Sequence, residues 1–204
     1  MIVLHHLNQS RSIRILWLLE EIGAPYRLVP YVRQKSRFAP DELKAVHPLG
    51  KAPILEIDGK VVAESGAMAE LLISRYAPHL APAADSSDYM DYLQWMHFAE
   101  SSLMVPLLLE IFITFEPQPV DFLPKYAAAE KQKVLGYLND SLAGKDYLVG
   151  GRLSGADFMV AFALDMLATN GGLNDYPHLQ RYLETLAALP SWQRAQALER
   201  KHSV

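Results

Sequence analysis

Residues 50–65 have the sequence GKAPILEIDGKVVAES, and this stretch decides the fold of the first part of the chain. Two apolar segments, 53–57 and 60–63, flank Asp58-Gly59, a pair typical of the two-residue turn of a β-hairpin. Glu64-Ser65 then precedes an apolar pattern of helical spacing that extends to Tyr76. The stretch therefore predicts a β-hairpin that leads directly into a helix.

Upstream of this hairpin the sequence predicts a β-α-β unit. Ile2–Leu7 and Tyr26–Val32 are typical of short strands, and Arg11–Ile22 is an apolar helical segment between them. Strands that are joined through a helix pair in parallel. His5 and His6 are neighbours on the first strand, so we expect one side chain to point inward and the other outward. Neither has the neighbours that a metal ligand needs.

The first 77 residues are therefore predicted to form an α/β domain of order βαβαββα, with a short helix at Pro40–Val46. Residues 78–87, which contain two prolines, predict a linker. From residue 88 to residue 204 the strand signals almost disappear, and we expect an all-helical C-terminal domain. Pro106 lies inside the first long helical pattern and predicts a kink or break there.

The composition excludes several classes of function. The net charge is −4 with acidic and basic residues interspersed, whereas a nucleic-acid-binding surface needs a basic excess. No apolar run approaches the length of a membrane span and the N-terminus lacks a secretory signal, so we expect a cytoplasmic protein without a membrane partner. The chain has no cysteine, which excludes disulfides, thiolate metal sites and a protein thiol nucleophile. We expect no bound metal.

Three segments, in this order, resemble the cytosolic glutathione S-transferase superfamily: Arg11–Gly23, the stretch 50–65, and Ser154-Gly155-Ala156-Asp157 before an apolar helix. The resemblance covers nearly the whole chain and is to bacterial, serine-type or related members. It implies a thioredoxin-like N-terminal domain and a C-terminal helical bundle. Ser154 and Asp157 fit a capping box, which is a structural feature without a catalytic role.

The resemblance implies that the stretch 50–65 binds glutathione. Ala52 would pair its main chain with the cysteinyl part of glutathione, beside a cis peptide bond that precedes Pro53. Glu64 and Ser65 would bind the γ-glutamyl carboxylate at a helix N-terminus, where free N–H groups and the helix dipole favour an anion.

Glutathione has a second carboxylate at its glycyl end, and the resemblance gives it a cationic partner. Lys51 is placed to meet this carboxylate, and Arg37 is a second candidate. Taken singly, each feature has a purely structural explanation: Pro53 would start an edge strand, and Glu64-Ser65 would cap a helix. Their combination, at this spacing after a β-α-β unit, favours a glutathione site.

The family places the residue that activates the glutathione sulfur just after the first strand. That segment contains no tyrosine or cysteine here, and Ser10 is the predicted hydroxyl donor to the sulfur. A gapless count back from Arg14 instead puts Gln9 at the usual position, so Gln9, Asn8 and Ser12 stay open as alternatives. Arg14 itself is predicted to be a packing and salt-bridge residue.

The reaction that the resemblance implies is attack of the glutathione thiolate on an apolar electrophile, as in detoxification. Glutathione is then a co-substrate, and the electrophile pocket should lie between the domains, with Met104, Leu108 and Phe112 as candidate residues. The family also implies a homodimer. The alternatives are a glutathione-dependent peroxidase or disulfide reductase, and a non-catalytic glutathione-binding protein of the same fold.

Overall fold

The computed structural model describes residues 1–34 and 38–202. The chain divides into two compact units, one formed by Met1–Ala81 with Leu186–Val204 and the other by Pro82–Thr185. The predicted fold class is confirmed, because the first unit contains a four-stranded thioredoxin-like sheet with helices and the second contains a series of helices.

The order of elements follows the sequence prediction, βαβαββα and then helices. The strands are β1 (Ile2–Leu7), β2 (Tyr26–Tyr31), β3 (Ile54–Ile57) and β4 (Lys60–Val62). The helices are α1 (Ser12–Ile22), α2 (Glu42–Val46), α3 (Ser65–Tyr76), α4 (Asp88–Phe98), α5 (Met104–Ile113), α6 (Phe122–Ser141), α7 (Gly155–Ala168), α8 (Pro177–Ala187) and α9 (Pro190–Lys201). A 3₁₀ turn at Pro78–Leu80 lies in the predicted linker.

The sheet has the strand order β2-β1-β3-β4, in which β1 pairs parallel with β2 and antiparallel with β3. The central strand β1 is buried along its whole length. The expectation that one of His5 and His6 points outward is therefore wrong. Both are buried because β1 is a central strand, and each has polar partners there: His5 bonds to Tyr31 and Glu56, and His6 bonds to Glu199.

The hairpin between β3 and β4 turns at Asp58-Gly59, as predicted. Asp58 has φ +52° and Gly59 has φ +73°, so both central residues are left-handed. This is the backbone of a type I′ turn, whose twist matches that of the flanking strands. The local Asp-Gly signal was sufficient because the turn depends on the backbone of these two residues alone.

The C-terminal helix α9 packs against α1 in the first unit, whereas the division expected from the sequence groups residues 88–204 in one helical domain. The rings of Trp17 and Trp192 meet edge to face with centroids 4.8 Å apart. The Trp17 indole N–H also donates to the Ser191 hydroxyl at 3.0 Å. An indole can be buried here because its apolar ring and its polar N–H both find partners.

Helices α4 and α5 of the second unit form one helical stretch that is interrupted by a π turn at Ala99–Leu103. Pro106 lies in the first turns of α5, just after this π turn. Proline has no N–H to donate back to residue 102, and its ring crowds the preceding turn, so the hydrogen-bond ladder widens there. The irregular turn lies just before Pro106, at Ala99–Leu103, and α5 continues through the proline itself.

This stretch, Asp88–Ile113, is long and apolar enough to cross a membrane by length and composition, although core helices of globular domains pass the same test. No apolar run of that length was expected from the sequence. Glu100 and Glu110 interrupt the apolar residues, but they do not end the helix.

The buried carboxylate of Asp157 connects the start of α7 to two other segments of the second unit. It accepts hydrogen bonds from the Ser154 N–H and hydroxyl, from the Leu148 N–H, and from the Tyr182 hydroxyl. The predicted capping box is present. Burial raises the pKa of Asp157, and the four donors oppose this effect.

Candidate functional site

The N-terminus of α3 is the most distinctive polar feature of the first unit. Ser65 is the first residue of α3 and is buried. Its hydroxyl oxygen accepts a hydrogen bond from the Arg14 guanidinium at 3.3 Å, and Arg14 is itself buried at 1% exposure. The Ser65 hydroxyl keeps its proton for another acceptor. A buried cation beside a helix N-terminus favours a bound anion.

Glu64 has a strained backbone at this helix start. Its φ is +71° and its ψ is +112°, a conformation that costs an L-residue about 1–3 kcal/mol. Its side chain makes no capping hydrogen bond and is exposed. The simple reading of Glu64-Ser65 as a helix cap therefore does not fit. The strain is offset by neighbouring structure, as at binding sites where backbone groups must face a ligand.

The peptide bond between Ala52 and Pro53 is cis, as the family resemblance implied. Within residues 1–34 and 38–202, neither the N–H nor the carbonyl of Ala52 takes part in a hydrogen bond. This main-chain segment immediately precedes β3 and can pair with an extended peptide. Lys51, next to it, is exposed.

Gly50 allows the chain to approach α2 closely just before this segment. Its φ is +57°, and a Cβ atom at this position would lie 2.7 Å from the Cγ atom of Lys44. Its N–H donates to the His47 carbonyl at 2.9 Å. Both the backbone conformation and the space therefore favour glycine, which fixes the course of the chain into residues 51–53.

The turn after β1 is held by two serine hydroxyls. Ser10 donates its hydroxyl proton to the Leu7 carbonyl at 2.7 Å and accepts from the Ser12 N–H at 3.1 Å. The Ser12 hydroxyl accepts from the Leu7 N–H at 3.2 Å. A serine has only one hydroxyl proton, so Ser10 in this conformation has none to donate to a sulfur.

Gln9 lies at the exposed tip of the same turn, with a left-handed φ of +50°. Its N–H donates to Glu199 Oε1 at 2.7 Å, and its carbonyl accepts from Arg33 Nη2 at 3.0 Å. In the part of the chain that the structure describes, its side-chain amide has no hydrogen bond. Asn8 supports the turn, because its Oδ1 accepts from the Arg33 N–H at 2.7 Å.

Sequence reasoning missed three residues at this site. Arg14 was assigned to packing, yet it contacts Ser65; a lone arginine among apolar helix residues is a signal that a buried partner exists. Arg33 and Glu199 hold the Gln9 peptide. Glu199 is distant in sequence, and no local pattern distinguishes it from other surface acids.

The remaining predicted site residues are Arg37 and the three candidates for the electrophile pocket. Arg37 lies outside the described residues. In the second unit Met104 is buried, Leu108 is partly buried, and Phe112 is 57% exposed. A cavity of about 360 Å³ in that unit is lined by other residues of α4 to α6, among them Phe98, Val105 and Tyr137. The structure does not bring the three candidates together with this cavity.

Comparison with known proteins agrees with this arrangement. Residues 1–73 match the family described as "Glutathione S-transferase, N-terminal domain", and residues 104–190 match "Glutathione S-transferase, C-terminal domain". Glutathione S-transferase 3 of Schizosaccharomyces pombe is 33% identical, over 94% of this chain and 85% of that protein. Elongation factor 1-gamma of Prunus avium is 27% identical, over 92% of this chain and 46% of that protein.

Solved structures show the same relationship. The crystal structure of a glutathione S-transferase from Actinobacillus pleuropneumoniae has a TM-score of 0.89 and 36% identity, and covers 98% of this chain and 93% of its own. A sphingomonad glutathione S-transferase complexed with glutathione has a TM-score of 0.81 and 27% identity, with 97% and 98% coverage. Two domain matches and relatives along nearly the whole chain lead to one conclusion: the chain belongs to the cytosolic glutathione S-transferase superfamily.

Proposed function

We propose that this protein is a glutathione transferase, whose bound glutathione thiolate attacks an apolar electrophile. The observation that carries the proposal is the buried Arg14–Ser65 pair at the start of α3, within the same unit as the free main chain of Ala52. The protein has no cysteine of its own, so a thiol nucleophile has to come from a bound molecule.

In the proposed complex the γ-glutamyl carboxylate binds at the N-terminus of α3. Ser65 donates its hydroxyl proton to the carboxylate, and the Arg14 guanidinium supplies the compensating positive charge. The strained Glu64 peptide presents the first N–H groups of α3. Ala52 pairs its main chain with the cysteinyl residue, and the exposed Lys51 meets the glycyl carboxylate.

The sulfur then lies near the turn after β1, where we propose Gln9 as the group that stabilises the thiolate. The sequence-based choice was Ser10, with Gln9 as an alternative. Gln9 is favoured because its amide has no described partner, whereas the Ser10 proton is directed at the Leu7 carbonyl. An amide N–H donor, together with turn backbone groups, lowers the pKa of the bound thiol by favouring its charged form.

The chemical step is a nucleophilic displacement. The thiol gives up its proton to solvent, the thiolate sulfur forms a bond to the electrophilic carbon, and the leaving group departs with the electron pair of its former bond. We propose that Met104, Leu108 and Phe112 contact the electrophile, since their side chains are apolar. We also propose a cytoplasmic homodimer, in line with the family.

A non-catalytic glutathione-binding protein is the second candidate. Two observations favour it: the engaged hydroxyl of Ser10 and the similarity to elongation factor 1-gamma. Such a protein retains the Arg14–Ser65 pair but does not lower the pKa of the bound thiol.

The test is isothermal calorimetry with glutathione, followed by turnover with a chromogenic aryl halide and with a peroxide. Binding with turnover of the aryl halide supports the transferase. Binding without turnover of either substrate supports the second candidate, and turnover of the peroxide alone assigns a reductive activity. Absence of binding at millimolar glutathione overturns both proposals.

A further inference from the structure

The carboxylate of Glu199, near the end of α9, joins the turn after β1 to the central strand. Its Oε1 accepts from the Gln9 N–H at 2.7 Å, and its Oε2 accepts from the His6 Nε2–H. The Glu199 side chain is only 14% exposed and that of His6 is 1% exposed. Charge-assisted hydrogen bonds of this kind are stronger than neutral ones, particularly where water is excluded.

The arrangement fixes which nitrogen of His6 carries the proton. A carboxylate can only accept, so Nε2 must donate to Glu199. The other nitrogen, Nδ1, is buried without a hydrogen-bond partner among the described residues. His6 is held inside the central strand, and it therefore gives Glu199 a fixed position relative to the sheet.

The Gln9 peptide is consequently held from two sides. Glu199 binds its N–H, and Arg33 binds its carbonyl at 3.0 Å. The left-handed φ of +50° is unfavourable for an L-residue by about 1 kcal/mol, so these contacts select the conformation. That conformation decides where the Gln9 side chain points.

The position of α9 is itself secured away from the turn. Arg194 donates to the Glu20 carboxylate at 2.9 Å, and Trp192 packs against Trp17. Glu199 is therefore carried on a helix that is fixed to α1 independently of its own contacts. A hydrogen bond from such a helix can orient a loop without depending on the loop for its own position.

We propose that Glu199 is a positioning residue for the sulfur site, so that the C-terminal helix completes the catalytic turn through the Gln9 peptide. The inference rests on the proposed transferase function. Glu199 acts on the orientation of Gln9 through the Gln9 N–H, whereas the γ-glutamyl anchor at Ser65 is bonded to Arg14. Its loss is therefore expected to lower turnover and to leave glutathione binding nearly intact.

The experiment compares Glu199→Ala, Glu199→Gln and Glu199→Asp in the full-length chain. We expect Glu199→Ala to lower kcat about tenfold, since small misplacements of a catalytic group are costly, with KM for glutathione changed by no more than about twofold. Glu199→Gln retains an oxygen that can accept from the Gln9 N–H and should recover most of the lost kcat. Glu199→Asp keeps the charge but is too short to reach both donors, so its kcat should be intermediate.

The matched control is Asp146→Ala. Asp146 also accepts a hydrogen bond from a cationic side chain, Arg181 at 2.9 Å, but it has no part in fixing α9 or in holding the turn. A fall in kcat for Glu199→Ala no larger than for Asp146→Ala overturns the inference, as does failure of glutamine to recover activity. If Glu199→Ala does not fold, unchanged kcat in Glu199→Asp overturns it. A wild type that does not bind glutathione refutes the proposed function instead.

Discussion

The Arg14 guanidinium donates a hydrogen bond to the Ser65 hydroxyl, although the two residues are 51 positions apart in the sequence. The contact joins the first turn of α1 to the first residue of α3. It places a buried positive charge beside free helix N–H groups, which is the combination that an anionic ligand needs. Arg14 thereby becomes part of the candidate binding site and is more than a packing residue.

Ser65→Ala should weaken glutathione binding about tenfold, because it removes a hydroxyl donor to a charged carboxylate. Calorimetric titration measures the effect. The control is Ser74→Ala on the same helix, whose exposed hydroxyl only bonds back to the Leu71 carbonyl at 3.1 Å. Equal affinities for the two variants would remove Ser65 from the site. Ser10→Ala should weaken binding less than Ser65→Ala does.

Gln9→Ala and Ser10→Ala should differ in which property they change. Gln9→Ala removes an exposed amide and should lower kcat about tenfold without a change in the melting temperature. Ser10→Ala removes two hydrogen bonds that hold the turn, so it should lower stability by about 1–2 kcal/mol as well as turnover. Steady-state kinetics with thermal unfolding separates these outcomes. Wild-type kcat in Gln9→Ala would contradict the proposed role of the amide.

Asp157→Asn should destabilise the protein by about 3 kcal/mol, since it leaves buried donors without an acceptor. The four hydrogen bonds from Ser154, Leu148 and Tyr182 cannot all be kept by an amide, which has one acceptor oxygen. Urea unfolding measures the loss. Asp175→Asn, at an exposed position, should change the free energy of unfolding by less than about 0.5 kcal/mol. A comparable loss in both variants would show that burial of Asp157 is not the cause.

Tyr26→Phe should make the free energy of unfolding less sensitive to pH above about 10. Burial raises the pKa of Tyr26, and the hydrogen bond that its hydroxyl donates to Glu20 raises it further. Because the pKa of Tyr26 is higher in the folded protein than in the unfolded chain, the neutral hydroxyl makes its full contribution to stability below the ordinary tyrosine pKa of about 10. This contribution is lost as the pH rises through the pKa of the folded protein. Unfolding free energies above that pH should therefore fall more steeply in the wild type. If the unfolding free energies of the wild type and Tyr26→Phe fall equally with pH, the raised pKa of Tyr26 is contradicted.

Much of the fold could be predicted because its signals are local. Asp58-Gly59 specifies its own turn, and the apolar spacing after Ser65 gives α3 its observed bounds. The capping box of Ser154 and Asp157 likewise depends on residues three positions apart. The candidate binding segment 50–65 could be recognised for the same reason, because its residues are contiguous.

The partners of these residues were decided by tertiary structure. Nothing near Glu199 in the sequence indicates that its carboxylate meets Gln9 and His6, 190 and 193 positions away. The residues next to Glu199 do not distinguish it from other acidic residues on the helices. The packing of α9 on α1 brings its carboxylate to the turn. The sequence alone determined the elements, their order and the absence of a protein thiol. Which charges and donors meet at the candidate site depends on long-range packing, because a hydrogen bond depends on distances that spacing along the chain does not specify.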